Sequence, residues 1–228
     1  TIRELRTGAA IAYGHWWVPG GLVAVIAGWC CRRPSVVHLH GSDVAIAANK
    51  FTRRLARWVL RRAAVRLAVS KELAQWSVTL SGRECEILPM PIDLERFADL
   101  SPPAETGFAL GVGRLVEEKG FDVLVEAVSM IDAEARPELT IVGVGPEQSR
   151  LESQARRLGV KLRLPGSVPP LELPYWYRRA SVVVVPSRRE GFGIVAAEAS
   201  AAGRVVVATK VGAMPQIIDD GVSGLLVD

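Results

Sequence analysis

Two glutamates flank a glycine-rich turn in the second half of the chain. Glu190 stands directly before Gly191-Phe192-Gly193, and Glu198 follows in a stretch that favours a helix. Carboxylate oxygens accept hydrogen bonds, so the two residues are suited to binding the paired hydroxyls of a sugar. Glu198 alone is equally typical of an exposed position in an alanine-rich helix, and its spacing does not decide which face it occupies.

Two cations follow a second glycine turn, Gly111-Val112-Gly113. They are Arg114 and Lys119. Arg offers forked hydrogen bonds and Lys a compact charge, so together they could neutralise a diphosphate without a metal ion. The alternative is that both are solvated charges on a surface loop.

A third glycine turn, Gly143-Val144-Gly145, completes the pattern. Each turn alone is explained by the ease with which glycine enters tight turns. Three such turns after parallel strands would line one edge of a sheet, where ligands of this architecture bind. The helices that follow would offer their N-terminal N–H groups to phosphate oxygens.

The elements that would position these residues alternate between strands and helices. Strands are predicted at residues 108–112, 139–142, 162–164, 182–185, 205–208 and 225–227, and helices at 121–131, 147–158, 173–179, 194–202 and 215–219. The continuously apolar strand at 182–185 is typical of a sheet covered on both faces. The pattern predicts an α/β fold with a parallel, doubly wound sheet.

The first part of the chain has fewer clear strands. They are predicted at residues 36–40, 65–69 and 86–88, with Ser42 or Asp43 beginning the helix after the first, and a helix cap is the preferred role for Asp43. We therefore predict a partial Rossmann-like domain over residues 1–98, a linker over 99–107 and a second domain over 108–228 whose C-terminal end is cut.

Composition is that of an ordinary globular protein, with 49% hydrophobic and 23% charged residues. The longest apolar run, residues 20–31, is shorter than the ~18 residues of a membrane span. Three cysteines without C-x-x-C spacing indicate free thiols in a reducing cytoplasm. His38 and His40 would share one face of a strand, but no third ligand is close in sequence, so no metal site is expected.

Charge is distributed unevenly, with a formal net charge of +7 over residues 1–98 and −3 over residues 99–228. Part of the excess lies on one predicted helical face formed by Arg53, Arg54, Arg57 and Arg61, with Phe51, Leu55, Trp58 and Val59 opposite. The helix either packs this apolar stripe on the sheet or presents its cationic face to anionic lipid headgroups. Nucleic acid is not expected, since no recognition motif accompanies the arginines.

At this point the motifs resemble a known family. The segment Pro186–Ala199, with its Glu190-x7-Glu198 spacing, resembles the signature of retaining glycosyltransferases of family 4, which have the GT-B fold of two Rossmann-like domains. Similar family segments cover nearly the whole chain, and they begin at residues 15, 38, 111, 139, 166 and 211.

The resemblance implies roles for individual residues. Arg114 and Lys119 resemble the family's diphosphate clamp, joined by Gly113, by the glycines Gly191 and Gly193, and by the N–H groups of Phe192, Ile194 and Val195. Glu198 resembles the ribose ligand, and the turn around Val168 would lie near the base. Glu190 resembles the carboxylate on the donor-sugar or phosphate side, His40 resembles the histidine near the reacting sugar, and both are expected to be catalytic.

The implied function is transfer of a sugar, with retention, from a nucleoside diphosphate-sugar to an acceptor hydroxyl of a glycan or lipid-linked glycan. No metal or other cofactor is implied, and the expected location is the cytoplasm or the inner membrane surface. A non-catalytic sugar-nucleotide-binding relative and a sugar-nucleotide epimerase are the alternatives.

The chain also departs from the family pattern in two places. Pro89-Met90-Pro91-Ile92-Asp93 replaces a common Pro-Asn-Gly-Val-Asp, and the family's N-terminal glycine-rich loop has no counterpart. The sequence therefore supports donor binding more strongly than turnover by this truncated chain.

Overall fold

The structure, a computed structural model, describes residues 8–97 and 107–228. The chain divides into two compact units, Thr1–Met90 and Pro91–Asp228. The helical turn Leu94–Phe97 belongs to the second unit, where the Phe97 ring contacts the Tyr177 ring at a centroid distance of 5.9 Å. Most of the predicted linker, residues 99–106, lies outside the described residues.

The first unit contains a four-stranded parallel sheet in the order β1-β2-β3-β4. Its elements in chain order are β1 (Ala12–His15), an irregular helical turn (Trp16–Gly21), α1 (Leu22–Cys31), β2 (Ser35–Leu39), α2 (Ser42–Ile46), α3 (Lys50–Arg62), β3 (Val65–Ala68), α4 (Lys71–Ser81) and β4 (Glu86–Ile87). The three predicted strands are present, and β1 is an addition that the sequence did not indicate.

The second unit contains a six-stranded parallel sheet in the order β10-β9-β8-β5-β6-β7. Its strands are β5 (Phe108–Val112), β6 (Leu139–Val142), β7 (Leu162–Gly166), β8 (Ala180–Val185), β9 (Val205–Thr209) and β10 (Gly224–Val227). Its α-helices are α5 (Phe121–Ser129), α6 (Gln148–Leu158), α7 (Leu173–Arg179), α8 (Ile194–Ala201) and α9 (Met214–Ile217). Short 3-10 turns lie at Glu117–Lys119 and Pro170–Glu172.

Every strand and helix predicted for the second unit is present, and the ends differ by at most two residues. Both faces of the sheet are covered. Leu110 and Val183 are buried in a core on one face, whereas Ala109 and Ile141 are buried in a core on the other. Continuous apolar strands follow from this two-sided burial, which confirms the prediction of a parallel, doubly wound sheet.

Asp43 has a different role from the predicted helix cap. Helix α2 has no side-chain cap, and the Asp43 carboxylate is instead buried, with Oδ1 accepting from the Trp17 N–H at 2.8 Å. Its Oδ2 accepts from the backbone N–H groups of His40 at 2.7 Å and Gly41 at 3.2 Å. The cap prediction was wrong because the carboxylate accepts a hydrogen bond from the buried backbone N–H of Trp17, which lies far away in sequence. Burial raises the pKa of Asp43, and these N–H groups oppose the rise.

Helix α3 begins after Asn49, whose side-chain oxygen accepts from the Thr52 N–H at 2.9 Å. Its buried face consists of Ala56, Val59 and Leu60. The sequence placed Phe51 and Trp58 opposite the arginines, in a stripe that could pack on the sheet, but these side chains are 75% and 39% exposed. At about 100° per residue each lies within about 60° of Arg54, so both border the arginine face, and Val59 is the stripe member on the buried face.

Within residues 8–97 and 107–228, no helix combines the length and the apolar character needed to cross a bilayer.

We predict that Asp43→Asn destabilises the first unit by about 1–3 kcal/mol, because the amide nitrogen cannot accept the hydrogen bonds that the lost oxygen accepted. Five of the six tryptophans lie in residues 1–90, so urea unfolding followed by tryptophan fluorescence reports mainly on this unit. Asp132→Asn, at an exposed position of the second unit, is the control. An unchanged midpoint for Asp43→Asn would contradict the structural role assigned to the carboxylate.

Candidate functional site

Strand order reverses between β5 and β8, at the centre of the second sheet. Successive strands β5, β6 and β7 extend to one side of this point, and β8, β9 and β10 extend to the other. The connections that leave β5 and β8 therefore diverge and open a crevice at the carboxyl ends of these strands, where doubly wound sheets bind their ligands. The residues after β5 and β8 are the candidates for such a site.

An ion pair joins the segments that follow these two strands. The Lys119 ammonium, after β5, lies 2.6 Å from Glu190 Oε2, after β8. Both side chains are largely covered, with 21% and 17% exposure. Glu190 also accepts from the Ser187 hydroxyl at 3.4 Å and from the Gly191 N–H at 3.2 Å. The structure thus brings together two residues predicted from separate motifs.

Arg188 holds the same two segments in place. Its guanidinium donates two hydrogen bonds to the Asp122 carboxylate, at 2.7 and 2.8 Å, and a third to the Glu117 carbonyl at 2.7 Å. Its backbone N–H donates to the Glu118 carbonyl at 2.8 Å. The guanidinium lowers the pKa of Asp122, so the carboxylate stays ionised and the fork stays formed at neutral pH.

The three predicted glycine turns follow β8, β5 and β6, which are adjacent in the sheet. At least one of these glycines is required by close packing between two of the turns, without any ligand. Gly143 has φ of +147°, and a Cβ at this position would overlap the Gly113 carbonyl oxygen. The first two turns are thus in close backbone contact, which requires glycine whether or not a ligand binds.

Helix α8 begins at the crevice without a side-chain cap. Its N-cap is Gly193, with φ of +93°, and a Cβ there would lie 2.7 Å from the Met214 methyl carbon. The first N–H groups of the helix, including those of Ile194 and Val195, precede the first intrahelical bond, from Ala197 to the Gly193 carbonyl. They are oriented for an anion, with the positive end of the helix dipole behind them.

Arg114 is exposed directly after the first glycine turn. Among the residues that the structure describes, its guanidinium has no ion-pair partner. Lys119 is neutralised by Glu190, so Arg114 carries the uncompensated positive charge of the predicted diphosphate clamp.

Glu198 faces the protein interior and is partly buried, which the sequence left open. Its Oε2 accepts from the Tyr177 hydroxyl at 2.9 Å. Burial raises the pKa of Glu198, while the Tyr177 hydrogen bond and the charge of Arg96 act in the opposite direction. Val168, the predicted base contact, follows β7 at the sheet edge and packs partly buried against the core that contains Tyr177.

His40 lies in the first unit, directly after β2, and its Nε2 is 2.7 Å from His15 Nδ1. His38 is close by, and the three rings place one nitrogen each within 4.8 Å of one another. The expectation that no third histidine joins His38 and His40 was therefore wrong. β1 pairs with β2 in parallel and brings His15 beside His38, although the two are 23 positions apart in sequence.

Sequence reasoning missed three residues that organise the second unit's site: Tyr177, Arg188 and Asp122. Each acts through a contact with a residue distant in sequence, such as the 66 positions between Asp122 and Arg188. Arg188 and Arg189 directly precede Glu190 within its motif, and this position was the sequence signal that they could belong to the site.

Family models cover the chain in two parts. Residues 94–228 match the model described as glycosyl transferases group 1, and residues 2–96 match the model described as glycosyltransferase family 4. The first match spans more than half of the chain.

Curated relatives extend over both parts. A D-inositol 3-phosphate glycosyltransferase of Xylanimonas cellulosilytica is 32% identical over 256 residues, covering 96% of this chain and 60% of the relative. A putative teichuronic acid biosynthesis glycosyltransferase, TuaC of Bacillus subtilis, is 30% identical and covers 95% of this chain and 57% of the relative. The chain thus spans about three fifths of the length of these relatives.

Solved structures share the fold. The Anabaena protein HepE, in complex with UDP, aligns with a TM-score of 0.84 at 23% identity, covering 99% of this chain and 67% of HepE. Sucrose-phosphate synthase of Thermosynechococcus elongatus aligns with a TM-score of 0.82 at 25% identity, covering 99% and 62%. The predicted GT-B fold class is confirmed, and with the family models and relatives these findings show that the chain belongs to the group 1 glycosyltransferases of family 4.

Proposed function

We propose that this chain binds a nucleoside diphosphate-sugar in its second unit and that the protein transfers the sugar to an acceptor hydroxyl with retention. The observation that carries the proposal is the arrangement at the β5–β8 switch point. There the Lys119–Glu190 pair, the exposed Arg114 and the uncapped start of α8 converge on one sheet edge.

The charges around this edge suit a diphosphate. Arg114 and the N–H groups of α8 supply uncompensated positive potential, and Lys119, paired with Glu190 at the same edge, would donate to a phosphate oxygen of the proposed donor. The same groups would stabilise the negative charge that develops on the diphosphate as the sugar leaves. In a retaining transfer the acceptor attacks from the face that the nucleotide leaves, and no metal ion is needed for the charge stabilisation proposed here.

Glu198 is the proposed ribose ligand. Tyr177 donates to Oε2, which fixes the carboxylate and leaves Oε1 to accept from a hydroxyl. Val168 is the proposed neighbour of the base. UDP is the first nucleotide to test, because the HepE structures contain UDP and UDP-glucose.

The proposed acceptor is a hydroxyl of a glycan or glycolipid of the cell envelope. The names of the relatives, which refer to inositol phosphate and teichuronic acid, support this class of polyhydroxylated acceptor. The roles of His40 and Glu190 in transfer, which the family resemblance implies, are part of the same proposal.

We further propose that helix α3 contacts an anionic membrane surface from the cytoplasmic side. Arg53, Arg54, Arg57 and Arg61 are exposed, and so are the neighbouring Phe51 and Trp58. Cations flanked by exposed aromatic rings are typical of helices that lie at a lipid interface. Ala56, Val59 and Leu60 on the other side of α3 are buried in the protein, so the arginine and aromatic side chains form its solvent-exposed surface.

Arg114→Ala is expected to weaken UDP binding roughly 10-fold or more, since a charge-assisted hydrogen bond contributes about 1.5–3 kcal/mol. Isothermal titration calorimetry with UDP measures the loss. Arg157→Ala is the matched control, because Arg157 is exposed near the C-terminal end of α6, at the opposite edge of the sheet from the glycine turns. Equal affinities for Arg114→Ala and wild type would show that the diphosphate binds elsewhere.

Glu190→Gln should separate binding from transfer. Removing its negative charge frees Lys119, so UDP should bind at least as tightly as to wild type, while acceptor-dependent UDP release should fall roughly 100-fold or more. The measurement uses the intact protein with UDP-sugars and a panel of inositol phosphate and lipid-linked glycan acceptors. Wild-type release without an acceptor would indicate hydrolysis or epimerisation, and donor binding without release would indicate a non-catalytic relative.

Arg53→Gln/Arg57→Gln should weaken binding to phosphatidylglycerol-containing vesicles by about 2 kcal/mol, because each basic residue near an anionic surface contributes ~1 kcal/mol. Vesicle co-sedimentation measures the change, and raised salt should weaken wild-type binding. Arg156→Gln/Arg157→Gln on α6 removes the same charge from the second unit and should bind like wild type. The proposal fails if the two double variants behave alike.

A further inference from the structure

All three histidines of the sequence meet at the carboxyl ends of β1 and β2. His15, the last residue of β1, is in register with His38 of β2, and His40 follows two positions later on the same side of the chain. The ring centroids are 4.4 Å apart for His38 and His40 and 4.9 Å apart for His15 and His40. Parallel pairing of two strands thus concentrates every imidazole of the chain at one point.

The contacts of His38 fix which of its nitrogens has a free lone pair. Its Nε2 is 3.1 Å from the Leu88 carbonyl oxygen, which can only accept, so Nε2 carries the proton. Nδ1 is therefore the acceptor, and the Tyr13 hydroxyl donates to it at 2.7 Å. A backbone carbonyl that orients a histidine through its N–H is the usual support of a metal-binding imidazole.

His40 is held from its backbone, because its N–H donates to the buried Asp43 carboxylate at 2.7 Å. Burial, together with the neighbouring His38 and His15, lowers the pKa of His40 to about 4. Burial also lowers the pKa of His38. Metal ions coordinate the neutral form of imidazole.

The spacing of His15 and His40 is close to that of two ligands on one ion. Their nitrogens are 2.7 Å apart, a distance at which they share one proton. Two nitrogens on a tetrahedral Zn²⁺ lie about 3.3 Å apart, given Zn–N bonds of roughly 2.0–2.1 Å. A small rotation of the exposed His15 ring supplies that difference.

We propose that His15, His38 and His40 bind a divalent transition-metal ion of the Zn²⁺ class, with a fourth position open to water. Three imidazole ligands favour such ions over Mg²⁺ and Ca²⁺, which prefer oxygen ligands. The nearby Asp43 carboxylate is engaged by backbone N–H groups, so it does not add an oxygen ligand. A Zn²⁺ ion would take the place of the proton shared by His15 and His40. It would also replace the hydrogen bond that the Tyr13 hydroxyl donates to His38. The site shares no residue with the predicted donor site of the second unit, but it includes His40, so this imidazole would serve either as a Zn²⁺ ligand or in the proposed transfer reaction and not in both at once.

The test is direct measurement of metal binding to the purified chain after removal of metals with a chelator. Titration of ZnCl₂ against a chromophoric competitor should give one ion per chain. His15→Gln and His40→Gln should each lower the affinity at least about 10-fold, since loss of a ligand costs no less than loss of its hydrogen-bonded support. His15 is exposed, so this substitution leaves the core intact, which circular dichroism verifies.

Adjacent Cys30 and Cys31 are the competing Zn²⁺ ligands, and Cys30→Ser/Cys31→Ser is the control that should retain binding. With CoCl₂, wild type should give visible bands of nitrogen-ligated tetrahedral cobalt without a thiolate charge-transfer band. The proposal is overturned if wild type binds no stoichiometric Zn²⁺. It is equally overturned if His15→Gln and His40→Gln both bind as tightly as wild type, or if the cysteine variant loses the ion.

Discussion

Reversal of strand order between β5 and β8 is the constraint on which the second unit's chemistry depends. Two diverging connections cannot cover the carboxyl ends of these strands, so backbone N–H groups and side chains remain accessible there. The connections still need fixed positions, and Arg188 provides them. Its forked contact with Asp122 and its bonds to the Glu117 and Glu118 carbonyls tie the segment after β8 to the segment after β5. Lys119 and Glu190 meet because these segments are tied.

The Lys119–Glu190 pair is suited to exchange its partner. Both side chains are largely covered but keep some solvent contact, at 21% and 17% exposure, so Lys119 can turn part of its charge toward a phosphate of the proposed donor. Glu190 would repel a diphosphate if Lys119 left it entirely, so we expect Lys119 to bridge the carboxylate and a phosphate oxygen. In the proposed donor site, this arrangement would keep the Glu190 carboxylate near the reacting sugar with its charge balanced by Lys119. A fixed, fully buried pair at this place would be a structural feature and not a binding one.

The fold of the second unit could be predicted from the sequence because its signals are local. Continuous apolar strands, glycine turns and helices alternate with short connections, and each element can be identified without knowledge of its neighbours. β1 escaped prediction because Ala12-Tyr13-Gly14-His15 is short and contains a glycine. Its absence from the prediction also hid the histidine cluster, since His15 reaches His38 only through strand pairing.

Side-chain partners were harder to predict than elements, because they depend on tertiary contacts. Asp43 is a residue type that often caps helices and lies where a cap is expected, yet its carboxylate instead accepts a hydrogen bond from the backbone N–H of Trp17. Phe51 and Trp58 were grouped in a stripe that could pack on the sheet, yet the buried face of α3 consists of Ala56, Val59 and Leu60. For Asp43 a contact from outside the segment decided the outcome, whereas helical geometry alone places Phe51 and Trp58 at the border of the arginine face.

Glu198 shows how such a contact adds to a functional argument. Partial burial of a carboxylate is unfavourable unless donors compensate for the lost water, and burial raises its pKa here. The described residues supply one side-chain donor, the Tyr177 hydroxyl, to a group with two oxygens and about four acceptor positions. A glutamate that served only to favour the helix would be more stable at an exposed position, where water would satisfy its carboxylate. A ligand with two adjacent hydroxyls would offset it, which is the physical reason to propose Glu198, and not an exposed carboxylate nearby, as the ribose ligand.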